Sequence, residues 1–119
     1  MEKWPMRSLR GALLGLSVAW REELNFRIQI ACGAVALLFA WAFQLTQTEV
    51  LIVCLTIALV LSVEVLNTSL EAFCDMVREN PDPHVAKIKD LGAAAALIAH
   101  IFAFAVGFIL FGPLLMQFI

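Results

Sequence analysis

The chain has 119 residues, of which 62% are hydrophobic and only 15% charged. Soluble domains are nearer half apolar, and too few polar residues remain here to coat the outside of a soluble bundle. The formal net charge of −2 gives no case for nucleic-acid binding.

In chain order, Pro5 suits the first position of a helix. Met6, Leu9, Leu13, Leu16 and Trp20 then repeat at steps of three and four, with Arg7, Arg10, Ser17 and Arg21 on another face. This pattern predicts an amphipathic helix over about 5–24, resting on the inner leaflet, the alternative being a soluble helix packed on the loop. Its charges, with no apolar core and cleavage site behind them, do not read as a cleaved signal peptide.

Three apolar blocks follow: 28–43, broken only by Gln29; 50–63; and 91–119, interrupted by His100 and Gln117. With their flanks they predict transmembrane helices over about 28–46, 49–76 and 87–117, since a span takes about 20 residues. The expected fold is an all-α integral membrane protein, a single domain over 1–119. The first span is rich in Ala and Gly, and the third opens Leu91-Gly-Ala-Ala-Ala-Ala. Small residues let membrane helices approach closely, within one chain or between copies. Cys32, Cys54 and Cys74 have no metal-ligand spacing and read as packing residues. The stretch Arg78-Glu-Asn-Pro-Asp-Pro-His-Val reads as a loop, because its prolines disfavour helix. At Gly107, Gly112 and Pro113 the last helix can bend or fray.

Every Lys and Arg lies before the first span or between the second and third. The positive-inside rule therefore puts the N-terminus and the 77–90 loop in the cytoplasm and the C-terminus outside. That basic face suits anionic lipid or a phosphate-bearing substrate.

The chemistry concentrates in Glu64-Val-Leu-Asn67-Thr-Ser-Leu-Glu71-Ala-Phe-Cys-Asp75. Glu64, Asn67, Glu71 and Asp75 stack as one helical stripe. Carboxylates are costly inside a membrane and are rare there without a partner or a task. Entering from outside near residue 49, the chain reaches Glu64 after about 15 residues, or roughly 22 Å at 1.5 Å per residue. In a hydrocarbon layer about 30 Å thick, that is past the midplane toward the cytoplasm. The stripe should run from buried Glu64 to wet Glu71 and Asp75. A carboxylate in apolar surroundings binds a proton more readily, which suits Glu64 to a general base. Glu71 is better placed to hold Mg²⁺, which wants carboxylate oxygens and keeps several waters.

A second acidic site, Glu22-Glu23-Leu-Asn-Phe-Arg27, should put Glu23 at the same interface as Glu71. Two carboxylates from different helices can clamp one Mg²⁺ against phosphate oxygens. A third cluster, Lys87-Ile-Lys89-Asp90, opens the last span. Its lysines suit phosphate charge, and equally suit interfacial anchoring. His100 reads as a side chain hydrogen-bonded across helices, and His84 as a loop residue. No P-loop, Gly-rich phosphate motif or HExxH is present.

The segment from Glu64 to Asp75 resembles the signature of the prokaryotic diacylglycerol kinase family, which also includes undecaprenol kinases. Glu23-Leu-Asn-Phe-Arg27 is similar to its first acidic motif, and Lys89-Asp90-Leu-Gly92 to its third. The resemblance covers about residues 7–110. It implies a small bacterial inner-membrane lipid kinase, homotrimeric, with active sites shared between subunits and MgATP used without a P-loop. By analogy Glu64 is the general base, and Glu23 and Glu71 coordinate the metal. Asn67, Glu71, Asp75, Lys89 and Asp90 line the nucleotide site together with Glu23, and Trp20 and Arg27 lie with Glu64 on the lipid side. The family often carries a basic residue near the position of Trp4, for which Arg7 is the candidate substitute here. The stretch 79–84 departs from the family's pattern, so no nucleotide contact is carried over from it.

Diacylglycerol is the family's default lipid, while Asn25-Phe-Arg-Ile looks more like the undecaprenol-using branch. Two rivals come from other classes. A small proton-coupled transporter would use Glu64 as its carrier, but has little use for Glu71, Asp75 and Lys89 outside the core. A structural assembly subunit would carry the acidic stripe incidentally.

Overall fold

A computed structural model describes residues 6–77 and 82–119. Trp4, Pro5, the side chain of Arg7 and residues 78–81 lie outside what is described, and with them the expected basic nucleotide contact and most of the 79–84 departure. Four helices make up the regular structure among the described residues: α1 Met6–Glu22, α2 Leu24–Ala42, α3 Gln47–Val77 and α4 Pro83–Met116. The last three are long and apolar enough to cross a membrane.

The helix boundaries follow from local chemistry that hydropathy does not read. α2 begins at Leu24, ahead of the expected residue 28, because Glu23 alone leaves the helical region (φ −113°, ψ 105°). Arg27 is thereby inside α2, and its guanidinium turns back to donate to the carbonyls of Trp20 (2.9 Å) and Arg21 (3.3 Å). Those carbonyls are orphaned at the end of α1, and a cation there also meets the helix dipole favourably.

α2 stops at Ala42, before the expected 46, because Gln44 takes φ 56°. The Leu45 N–H then donates to Ala40 O (3.0 Å) and the Gln44 N–H to Trp41 O (3.2 Å), the paired bonds of a Schellman cap. α3 starts with a capping box in which the Glu49 N–H donates to Thr46 Oγ1 and the Thr46 N–H to Glu49 Oε1.

α4 starts at Pro83, ahead of the expected 87. Asp82 caps it, accepting from the N–H groups of His84 (2.8 Å) and Val85 (3.4 Å). The proline that reads as a breaker sits at the first helical position, where a missing N–H costs nothing. At its other end α4 runs through Gly107, Gly112 and Pro113 to Met116.

α3 is the central element: α2 and α4 both pack on it, and α1 packs on α2. At the end away from α1, α2 meets α4 through a Phe39–Phe111 ring contact, and just past both helices Phe43 meets Phe118. The buried positions are few and mostly small, among them Ala19, Ala40, Val53, Cys74 and Ala99. Large apolar side chains instead face outward, as with Trp41, Phe104 and Phe108, each close to 80% exposed. That inversion suits a surface solvated by lipid or by another copy of the chain. Gly33 lets α2 approach α3, where an added Cβ would lie 3.2 Å from Ile57 Cγ2. Between the three long helices lies a largely apolar cavity of about 490 Å³, with Gln29, Cys32, Thr56 and His100 among its lining residues.

Candidate functional site

At 1.5 Å per residue, the 31 residues of α3 extend about 46 Å, well beyond a hydrocarbon layer of about 30 Å. Its C-terminal turns carry the polar stripe, and burial falls along it. Glu64 is 8% exposed, Asn67 is half-buried, and Glu71 and Asp75 are exposed. The expected gradient from buried to wet is therefore present.

Glu64 and Thr56 are the buried polar or charged residues among those described. Thr56 satisfies its hydroxyl within its own helix, donating to Ile52 O (2.7 Å). Glu64 has no such local solution. It receives a hydrogen bond from Gln29 Nε2 on α2 (3.4 Å), and the same nitrogen lies 2.9 Å from His100 Nε2 on α4. The sequence marks Gln29 as the break in an apolar block, but nothing along the chain links it to a residue 35 positions away. His100 does hydrogen-bond across helices, as its place in an apolar span implies.

One turn further, Asn67 Nδ2 donates to Glu71 Oε1 (3.2 Å). Asn67 Oδ1 is buried and has no hydrogen-bond partner. It presses against Gly92 of α4, so closely that a Cβ there would lie 2.4 Å from that oxygen. Gly92 therefore sets how near α3 and α4 come at the stripe. The glycine stands in the sequence motif, but its reason appears only in the packing.

At the wet end, Lys89 of α4 ion-pairs with Asp75 of α3. Asp90 is exposed beside it. The antiparallel α3–α4 pair thus brings Asn67, Glu71, Asp75 and Lys89 to one end of the molecule. Trp20 is exposed at the end of α1, while Arg27 is engaged by α1's carbonyls.

Glu23 is half-buried at the α1–α2 junction, where its carboxylate caps no helix. Within a single chain, no three His, Cys, Asp or Glu side chains gather as a metal cradle among the described residues. The donor set nevertheless fits Mg²⁺. The exposed carboxylate of Glu71 commits one oxygen to Asn67, and a hard cation that keeps its waters and binds phosphate needs only one or two carboxylates.

Three long apolar helices with an acidic stripe ending in a lysine pair define a small helical membrane protein with a polar site at one end. Residues 10–111 match the family described as Prokaryotic diacylglycerol kinase. The chain is 37% identical over 111 residues to a diacylglycerol kinase of Synechocystis, covering 92% of this chain and 63% of that protein. It is 36% identical to a diacylglycerol kinase of Escherichia coli (75% of this chain, 73% of the other). With an undecaprenol kinase of Bacillus subtilis the identity is 28% (78% and 76%). The chain belongs to the prokaryotic diacylglycerol kinase family.

Proposed function

We propose that the protein is a lipid kinase that transfers the γ-phosphoryl group of ATP to the hydroxyl of diacylglycerol, giving phosphatidic acid at the cytoplasmic face of the bacterial inner membrane. The observation that carries this reading is the buried Glu64 at the apolar end of a stripe that continues through Asn67 and Glu71 to the Asp75–Lys89 pair. A lipid hydroxyl can reach the first of these from the bilayer, and a nucleotide the last from water.

In this mechanism Glu64 takes the proton as the lipid oxygen bonds to the γ-phosphorus and the bond to the β–γ bridging oxygen breaks, releasing ADP. Phosphoryl transfer depends on positioning and charge stabilisation more than on covalent chemistry, so a small scaffold suffices. Glu71 and Glu23 would hold Mg²⁺, which would supply neutralisation of phosphate charge when bound. Asn67, Asp75, Lys89 and Asp90 line the nucleotide site, and Trp20 and Arg27 lie at the lipid rim. The N-terminus and the 77–90 loop face the cytoplasm. Glu23 reaches the Glu71 site across a homotrimer contact.

Glu64→Gln keeps the shape and removes the base. It should abolish turnover while largely preserving MgATP binding, measured by radiolabelled phosphate transfer and nucleotide titration. Near-normal turnover would remove Glu64 from the base role. A second lipid, undecaprenol, is favoured by the Bacillus relative and by Asn25-Phe-Arg-Ile. Diacylglycerol and undecaprenol assayed side by side decide between them, and the diacylglycerol reading predicts the larger kcat/KM for that lipid.

A further inference from the structure

Gln29 stands where the three long helices exchange polar contacts. Its amide nitrogen carries two hydrogens, and two acceptors lie within reach: Glu64 Oε2 at 3.4 Å and His100 Nε2 at 2.9 Å. Among the described residues this is the hydrogen bond that Glu64 receives. The other end of the amide, Oε1, is buried without a partner. A half-turn of the amide would set that oxygen against the Glu64 carboxylate, acceptor facing acceptor. Ionised Glu64 therefore requires the nitrogen, and the nitrogen requires a lone pair on His100 Nε2. The imidazole hydrogen must then sit on Nδ1.

We propose that Gln29 and His100 are positioning residues for Glu64: His100 selects which end of the Gln29 amide faces the carboxylate, and that amide holds the carboxylate in its proton-accepting orientation. The proposal rests on the reading of Glu64 as the base. Neither residue touches the reacting atoms. Both line the cavity between α2, α3 and α4. A merely adhesive role, in which the triad only ties three helices together, predicts lost stability without a preferred tautomer and without a kcat effect in folded protein.

The first test needs no variant activity. The chain has two histidines, His84 and His100. Full-length protein labelled with ¹⁵N-histidine in lipid bilayers should show His100 with Nδ1 protonated and Nε2 unprotonated, His84 being assigned by comparison with His100→Gln. Protonation of His100 on Nε2 overturns the proposal. The second test is kinetic. His100→Phe keeps a ring and removes the acceptor, and should lower kcat by about tenfold or more, with KM for MgATP moving less than about twofold. His100→Gln places a carbonyl near the position of Nε2, and should hold kcat within about threefold of the parent. Wild-type kcat in His100→Phe overturns the proposal, as does loss of activity in His100→Gln equal to that in His100→Phe. If His100→Phe does not fold, the labelling result and His100→Gln decide. Glu64→Gln, run alongside, separates the two levels. An active Glu64→Gln removes the base and the proposal with it, whereas an inactive one beside a fully active His100→Phe defeats the positioning role alone.

Discussion

At Gly92 a single hydrogen atom in place of a methyl group decides how closely two helices approach. The Cβ of an alanine would meet Asn67 Oδ1 at 2.4 Å and Leu70 Cδ2 at 2.9 Å. The leucine end can swing aside, but the asparagine is tied to Glu71. Gly92→Ala should therefore destabilise the protein by about 1–3 kcal/mol, the usual cost of overpacking, and lower turnover by displacing Asn67. Thermal unfolding in detergent and phosphate transfer report the two effects. Gly33→Ala is the control: its Cβ would meet Ile57 at 3.2–3.4 Å, a crowding that a shift of a few tenths of an ångström relieves, so it should be milder. A Gly92→Ala protein with unchanged melting and turnover would mean that Asn67 yields freely.

Among the elements, the caps decide where polar side chains fall relative to the membrane. Asp82 starts α4 early enough that Lys89 lies two turns inside a formed helix, opposite Asp75. Asp82→Ala should cost about 1 kcal/mol of helix stability, the typical loss for an N-cap. Thermal unfolding should show that loss, with KM for MgATP rising as the Lys89 turn loosens. The Asp75–Lys89 tie joins α3 to α4 at an exposed surface, so Lys89→Ala should lower the melting temperature only slightly.

For the whole molecule, the proposed function requires Glu23 and Glu71 to meet. The single chain gathers no complete metal cradle among its described residues, and it leaves large apolar faces on α2, α3 and α4 uncovered. A site shared between copies answers both. If Glu23→Gln and Glu71→Gln are each inactive as pure proteins, mixing them before reconstitution should restore part of the activity, because in the proposed homotrimer some mixed assemblies contain one site with both carboxylates intact. No recovery from verified mixed oligomers would place the two carboxylates in the same chain.

Hydropathy and charge order along the chain were enough for the three long helices and their number, because crossing a bilayer demands long apolar runs whatever the tertiary contacts. The Glu64–Asp75 stripe and its fall from buried to wet were equally legible, since helical periodicity places i, i+3 and i+7 on one face. Helix ends were read less well: Gln44 with positive φ, the Thr46–Glu49 box and the Asp82–Pro83 start are hydrogen-bond events with little hydropathic signal. The contacts between helices needed the folded chain. Gln29 meets His100 across 71 positions, and Gly92 earns its place only against Asn67. A span's composition states that it is buried in lipid, but only packing geometry assigns each polar atom its partner.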